Sequence, residues 1–229
     1  MQELHLTPLT RQAPGAGQVE VAVYAAGLNF RDALNALGEL PGGSEPLGGE
    51  CAGRIVAVGS GVSGLAVGDR VVALAPGSLA THVIVSAPLV ARLPPTLDWA
   101  SAAALPIAQL TARLALGETL APGGSAGVAQ LRAGQAVLIH SAAGGVGLAA
   151  VRWAQAAGAV VVATAGSAAK RALLLGLGVA AVADSRDPGS YAAAVGQATG
   201  GRGVDVVLNA LSGEAIAAKA NACSCPNSR

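Results

Sequence analysis

The pattern of hydrophobic and polar positions divides the chain into two parts with different periods. In the first hundred residues apolar and polar side chains alternate over short runs, and Gly, Pro and Asp separate the runs. The runs are QVEVAVYAAGL (18–28), AGRIVAVGSGV (52–62), DRVVALA (69–75) and ATHVIVSAPLVARL (80–93). Short strands at such close spacing predict a compact, barrel-like β unit.

Alternation stops after this region. The segment LDWASAAALPIAQLTARLALGETL (97–120) has no period of two and predicts helix, with a kink or break at Pro106. A stretch rich in Gly, Ala, Ser and Pro follows at 121–135 and predicts a loop and a domain seam.

From residue 136 onward, short apolar runs alternate with helical segments. The predicted strands are AVLIH (136–140), AVVVATA (159–165), VAAVADS (179–185) and VDVVLNAL (204–211). The helices between them are GVGLAAVRWAQAAG (145–158), AAKRALLLGLG (168–178) and DPGSYAAAVGQATGG (187–201). This order predicts an α/β fold with a parallel sheet, and four strands are fewer than the six of a complete doubly wound sheet.

A glycine-rich turn joins the first of these strands to its helix. Residues 142–147, Ala-Ala-Gly-Gly-Val-Gly, match the G-x-G-x-x-G pattern with alanine at the first glycine. That pattern allows a tight turn and a close backbone approach to a pyrophosphate at a helix N-terminus. The predicted cofactor-binding residues are Ala143, Gly144, Gly145, Val146 and Gly147. The alternative is a glycine-rich turn without a ligand.

The end of the second strand indicates which dinucleotide is bound. An NAD site needs an acidic residue there for the ribose 2′-hydroxyl. This chain has Ser167, Lys170 and Arg171 instead, and their hydroxyl and cationic groups suit a 2′-phosphate. NADP(H) is therefore favoured, the alternative being that Lys170 and Arg171 are solvated helix residues.

Composition excludes several other classes. The 229 residues are 52% hydrophobic and only 12% charged, which is not typical of a disordered chain. A net charge of +1 gives no basic field for nucleic acid, and no apolar stretch is long enough to span a membrane. Three cysteines (Cys51, Cys223 and Cys225) provide no disulfide framework, so we expect a cytoplasmic protein.

Several motifs together resemble one family. They are GLNFRD (27–32), LGGECAGRIVAVGSGV (47–62), VGDRVVAL (67–74), AALPIAQLTA (103–112), HSAAGGVG (140–147) and GRGVDVVLNALSGE (201–214). In this order the chain resembles the enoyl reductase domains of polyketide and fatty-acid synthases, which are medium-chain reductases. The resemblance implies a GroES-like β-rich catalytic domain (1–108), an incomplete Rossmann-type NADP(H)-binding domain (109–219) and a cleft between them that holds the active site. Residues 220–229 match nothing in the family, and we expect a C-terminally truncated chain.

The resemblance also implies that no zinc is bound. Zinc-dependent relatives carry Cys at the position of Asn29 and His before the position of Glu50, and neither is present. Cys51 alone, without a neighbouring His or Cys, cannot form a catalytic zinc site. The Cys-Ser-Cys tail could form a two-thiolate clip, but an incidental pair is favoured.

The reaction implied by the resemblance is the reduction of an enoyl thioester on an acyl carrier protein by NADPH, within a larger synthase. Lys170 matches the family's proposed proton donor, although a role at the 2′-phosphate is favoured. Asp187 is its expected partner, with Gly189 at the nearest family-like position. Asn29 is expected to bond the cofactor's ribose or carboxamide, the alternative being a turn residue without a ligand, and Asn209 is expected to contact the cofactor. The alternatives are a quinone oxidoreductase-like enzyme and an inactive nucleotide-binding remnant.

Overall fold

The computed structural model describes residues 5–40, 45–117 and 129–210. Residues 118–128, which include the end of the predicted helix and the first part of the predicted seam, and the tail with Cys223 and Cys225 lie outside this range. The internal contacts divide the chain into two units, the first ending at Ile107 and the second beginning at Ala108.

The first unit is built on a five-stranded antiparallel sheet with the order β4-β1-β2-β3-β5. The strands are β1 (Gln18–Ala26), β2 (Glu50–Val58), β3 (Arg70–Leu74), β4 (His82–Ser86) and β5 (Val90–Arg92). The β-rich prediction is confirmed, and Val19, Val21, Ile55 and Val71 are fully buried in its core. In the described residues β4 and β5 are the two edges of the sheet, whereas a closed barrel would pair them. A 3-10 turn (Ala87–Leu89) containing Pro88 joins them.

One helix of this unit was not predicted. Helix α1 (Phe30–Ala36) begins after Asn29, whose backbone N–H donates to Asp32 Oδ2 at 2.8 Å. This arrangement is one half of a capping box, and the Asn-x-x-Asp spacing was visible in the sequence.

The segment predicted as a broken helix does form two helices. Helix α2 (Trp99–Ala103) is capped by Asp98, which accepts the backbone N–H of Ser101 at 2.8 Å. Helix α3 (Pro106–Leu116) begins at Pro106, because proline suits the first helical position and cannot continue α2.

The second unit contains a four-stranded parallel sheet with the order β8-β7-β6-β9. The strands are β6 (Ala136–Ile139), β7 (Val160–Ala165), β8 (Ala181–Asp184) and β9 (Val206–Leu208). The helices are α4 (Gly145–Ala156), α5 (Ala168–Gly176) and α6 (Pro188–Thr199). All four residues of β6 are buried, as expected for a central strand covered on both faces. The predicted parallel α/β fold is therefore confirmed.

Small side chains dominate the packing of this unit. Ala149, Ala150 and Ala154 of α4 are at most 3% exposed and lie in one core with Val137 and Ile139 of β6. Because buried cores are close-packed, an added methyl group at these positions is expected to overpack the core.

Each unit contains one of the chain's two tryptophans. In the first unit the guanidinium of Arg70 lies 4.3 Å from the ring centroid of Trp99, and Tyr24 meets the same ring edge-on at 4.9 Å. In the second unit the guanidinium of Arg113 lies 5.8 Å from the ring of Trp153. Each ring therefore has a cationic neighbour from its own unit.

A buried carboxylate in β1 is neutralised by a residue from the segment that precedes the strand. Glu20 has a side chain only 5% exposed, and Arg11 Nε and Nη2 donate to its two oxygens at 2.8 Å each. The hydrogen bonds from Arg11 hold the pKa of Glu20 below its usual value. A carboxyl with a lowered pKa adds to stability at neutral pH, and this contribution is lost as the pH falls through the pKa of the folded state.

Replacing Arg11 with glutamine (Arg11→Gln) is therefore expected to lower the thermal unfolding midpoint at pH 7. The difference from the parent chain should shrink as the solution is acidified, because protonation of Glu20 removes the charge that Arg11 neutralises. Thermal unfolding followed by circular dichroism between pH 7 and pH 3 measures this. Arg54→Gln is the control, since Arg54 is exposed and donates to the carbonyl of Gly68 rather than to a carboxylate. A loss for Arg11→Gln that is independent of pH would contradict the expectation.

Among the described residues, no helix has both the length and the apolar character needed to cross a membrane.

Candidate functional site

The carboxyl ends of the four parallel strands meet at one edge of the sheet in the second unit. Ligands of open parallel sheets bind at this edge, where the strand order reverses. In the order β8-β7-β6-β9 the reversal falls between β6 and β9. The glycine-rich turn follows β6 and therefore lies at this point.

The backbone of the turn is tightly folded. Ser141 has a φ of 50°, and Ala142 N donates to Thr164 O in the neighbouring strand at 3.0 Å. Gly144 caps α4, and its N–H donates to Ser141 O at 2.9 Å. Ala142, at the first glycine position of the pattern, is fully buried in the core.

Within this turn, Gly147 is the glycine at which a Cβ atom would have no space. A Cβ atom there would lie 2.5 Å from Ser141 O and 2.6 Å from Ala142 Cα. A Cβ at Gly145 would meet nothing nearer than Ala108 Cβ at 4.0 Å. The close contact at Gly147 brings the first turn of α4 onto the end of β6. The amides of that first turn have no acceptor within the helix, so the turn can bind an anion.

The predicted 2′-phosphate residues lie at the end of β7 and differ in their contacts. Ser167 caps α5, its Oγ accepting the backbone N–H of Lys170 at 3.3 Å. Arg171 Nη1 donates to Asp184 Oδ2 at 2.7 Å and to Ala165 O at 3.1 Å. The side chain of Lys170, in contrast, is exposed in the first turn of α5.

Arg186 is a further cation at this edge that the sequence analysis did not select. A Cβ atom at Gly166 would lie 3.7 Å from Nε and Nη2 of Arg186. Asp184 orders this region, because its Oδ1 accepts Arg186 N at 2.9 Å. That hydrogen bond, together with the charge and hydrogen bond of Arg171, lowers the pKa of Asp184. The signal in the sequence was a basic residue directly after the third strand, at the same sheet edge as Lys170.

The remaining predicted residues of this unit lie at the same edge. Asp187 caps α6, with its Oδ1 accepting the N–H of Gly189 at 3.0 Å. Asn209 follows β9 and is exposed, beside the hydrogen bond from His140 N to Leu208 O at 3.1 Å. Their proposed roles remain predictions.

In the first unit, Asn29 is held by two acidic residues. Its Nδ2 donates to Glu50 Oε1 at 2.8 Å, and its backbone N–H donates to Asp32. Glu50 is 2% exposed, and its Oε2 accepts the N–H of Ile107 at 2.7 Å. Three motifs separated in the sequence, GLNFRD, LGGECAG and AALPIAQLTA, therefore meet at one carboxylate. Glu50 was named from the sequence only as the position that follows the absent zinc-ligand histidine, and its bond to Asn29 was not predicted.

The described residues do not fit a catalytic zinc site. Within them, no three His, Cys, Asp or Glu side chains come close enough to hold a metal ion. Cys51 is fully buried, and burial raises the pKa of its thiol to about 11, which disfavours the thiolate that a metal requires.

Comparison with known proteins gives two family models and a consistent set of relatives. The model described as alcohol dehydrogenase GroES-like domain matches residues 15–95, and the model described as zinc-binding dehydrogenase matches residues 145–225. The chain is 47% identical over 219 residues to a phenolphthiocerol/phthiocerol polyketide synthase of Mycobacterium tuberculosis. This match covers 94% of the chain and 10% of the synthase.

Solved structures give the same result. The CurK enoyl reductase superposes with a TM-score of 0.86 at 40% identity, over 96% of this chain and 66% of that one. The Escherichia coli quinone oxidoreductase complexed with NADPH superposes with a TM-score of 0.82 at 31% identity, over 95% of this chain and 64% of that one. The chain thus spans a tenth of the curated synthase and just under two thirds of these two structures. The resemblance stated from the motifs is confirmed: the chain belongs to the medium-chain dehydrogenase/reductase family, among the enoyl reductase domains of polyketide synthases and the quinone oxidoreductases.

Proposed function

We propose that the chain is an NADPH-dependent enoyl reductase that reduces the α,β double bond of an enoyl thioester. The observation that carries the proposal is the likeness to the CurK enoyl reductase, at 40% identity over 96% of the chain. The likeness to the quinone oxidoreductase of Escherichia coli is lower, at 31% identity. The relative from Mycobacterium tuberculosis is a polyketide synthase, which supports an acyl carrier protein as the bearer of the thioester.

The second unit supplies residues that fit the cofactor. The amides of Gly145, Val146 and Gly147 would bind the pyrophosphate, with Ala143 and Gly144 shaping the turn. Lys170 and Arg186 would bind the 2′-phosphate, because both are basic residues beside the end of β7 and no acidic residue ends that strand. Bound NADPH would supply the hydride that adds to the β-carbon of the thioester.

The position of Lys170 favours the phosphate role over proton donation. It lies in the first turn of α5, directly after the second strand, where the adenosine ribose of a dinucleotide binds. Asp187 is engaged as the cap of α6, which favours a structural role for its carboxylate. The carboxamide of Asn29 would donate a hydrogen bond to the ribose or carboxamide of the cofactor. Asn209 would contact the cofactor from the end of β9.

A direct test compares substrates with the purified chain. Oxidation of NADPH is followed by absorbance with crotonyl-pantetheine, with the same thioester on an acyl carrier protein, and with 1,4-benzoquinone. We expect enoyl thioester to be reduced with the higher kcat/KM and NADH to support less turnover than NADPH. Butyryl-pantetheine, which has no double bond, is the control substrate. A higher kcat/KM for the quinone would overturn the proposal.

Two other functions are separated by the same assay. A quinone oxidoreductase is favoured by the likeness to the Escherichia coli enzyme complexed with NADPH, and it predicts turnover of the quinone alone. A nucleotide-binding remnant predicts calorimetric binding of NADPH without turnover of either acceptor.

A further inference from the structure

Glu50 is a buried carboxylate that accepts one hydrogen bond on each oxygen from the part of the chain that the structure describes. It is 2% exposed, with Asn29 Nδ2 2.8 Å from Oε1 and Ile107 N 2.7 Å from Oε2. A buried charge is costly unless such partners satisfy it. The second donor belongs to the first turn of α3, where a helix favours negative charge. Glu50 is therefore anchored by α3 on one side and bonded to Asn29 on the other.

The loop around Asn29 is shaped to approach this carboxylate. A Cβ atom at Gly27 would lie 2.5 Å from Glu50 Oε1, and Gly27 N donates to Glu50 O at 3.1 Å. The backbone of Asn29 is fixed by its bond to Asp32. Both the main chain and the carboxamide of Asn29 are thus restrained.

The charge of Glu50 determines which way the carboxamide of Asn29 faces. An ionised carboxylate only accepts hydrogen bonds, so it pairs with the NH2 group and repels the amide oxygen. One N–H of Asn29 Nδ2 points to Glu50, and the second is left to donate elsewhere. Loss of the charge removes this preference.

We propose that Glu50 is a positioning residue that orients the carboxamide of Asn29, so that its second N–H donates to an acceptor oxygen of the bound reactants. This inference rests on the proposed function, which supplies two such oxygens: the thioester oxygen, on which charge develops, and an oxygen of the nicotinamide ribose or carboxamide. Either oxygen is a suitable acceptor for the second N–H of Asn29. The role of Glu50 is exerted through Asn29.

The substitution Glu50→Gln tests this at almost constant volume. A glutamine amide accepts hydrogen bonds through only one of its two terminal atoms, so it cannot accept from both Ile107 N and Asn29 Nδ2. If its oxygen keeps the bond to Ile107, its NH2 group faces Asn29 and favours the reversed carboxamide. We expect kcat for crotonyl-pantetheine to fall about 10- to 100-fold, as for other losses of a residue that orients a reacting group.

A double-mutant cycle with Asn29→Ala separates positioning from a purely structural role. If Glu50 acts through Asn29, then Glu50→Gln in the Asn29→Ala background should change kcat by no more than about twofold. Effects that multiply in the double variant would overturn the inference. A loss in kcat with an unchanged dissociation constant for NADPH assigns the acceptor oxygen to the thioester. A raised dissociation constant assigns it to the cofactor.

Glu20→Gln is the matched control, because Glu20 is a buried carboxylate in the same sheet that bonds Arg11 rather than Asn29. It should lower the unfolding midpoint and leave kcat of the folded protein unchanged. Equal losses of kcat in both variants would overturn the inference.

A readout independent of turnover is the side-chain NH2 resonance of Asn29, identified by its loss in Asn29→Ala. It should shift in Glu50→Gln and stay in place in Glu20→Gln, and an unchanged resonance in Glu50→Gln would overturn the inference. Absence of enoyl reduction by the parent chain would instead count against the proposed function.

Discussion

Gly147→Ala is expected to weaken NADPH binding strongly and to destabilise the second unit. The added methyl group would lie 2.5 Å from Ser141 O and 2.6 Å from Ala142 Cα, both of which are backbone atoms that a rotamer change cannot move. Either α4 shifts away from β6 or the turn deforms. Overpacking of this kind costs about 1–3 kcal/mol of unfolding free energy. Displacement of the amides that we propose as the pyrophosphate site should raise the dissociation constant for NADPH by about 100-fold or more.

Isothermal titration calorimetry and urea denaturation measure the two effects. Gly196→Ala is the matched control, because Gly196 lies within α6 and a Cβ atom there would meet nothing within 4 Å. That variant should gain up to about 1 kcal/mol from helix propensity and keep the parent affinity for NADPH. If Gly147→Ala bound NADPH with the parent affinity, the turn would not be the pyrophosphate site.

Lys170→Glu is expected to remove the preference for NADPH over NADH. Lys170 is exposed in the first turn of α5, and the reversed charge would face the 2′-phosphate in place of an ammonium group. We expect the dissociation constant for NADPH to rise about 10- to 100-fold at low ionic strength, and less in high salt, because exposed charges are screened. NADH lacks the 2′-phosphate, so its dissociation constant should change less than about twofold on the same electrostatic argument.

Arg152→Glu is the control for the charge reversal, because it changes an exposed residue of α4 by the same two units of charge. Arg152→Glu should leave the ratio of the dissociation constants for NADPH and NADH unchanged. Arg186→Ala should weaken NADPH binding in the same direction as Lys170→Glu. Equal weakening of NADPH and NADH in Lys170→Glu would mean that the 2′-phosphate binds elsewhere.

The strands and helices of the second unit were predictable because the hydrophobic pattern of each segment matches its burial in the folded protein. A short uninterrupted apolar run such as AVLI is what a strand buried on both faces requires, and the glycine pattern after it marks the turn. Helix α1 was missed because it is seven residues long and follows a strand in a β-rich region. Its start signal, Asn29 with Asp32, is weak without the contacts that support it.

The contacts of the candidate site were less predictable, because they join residues far apart in the sequence. Glu50 and Asn29 are 21 residues apart, and Glu50 and Ile107 are 57 apart. Only the register of the sheet and the packing of α3 bring them together. Similarly, the sequence could not show that Arg171 is paired with Asp184 while Lys170 stays exposed, because both are basic residues in the same helical turn.

Because Trp99 lies in the first unit and Trp153 in the second, the intrinsic fluorescence of each tryptophan reports on one unit. With no other tryptophan present, Trp99→Phe leaves indole emission only from the second unit, and Trp153→Phe leaves it only from the first. Denaturant titrations of the two variants would show whether both units unfold at one midpoint or in sequence. Trp153 lies in α4, the helix that begins at the glycine-rich turn. The Trp99→Phe variant, which retains Trp153, would therefore also report a ligand at that turn through quenching of its emission or energy transfer.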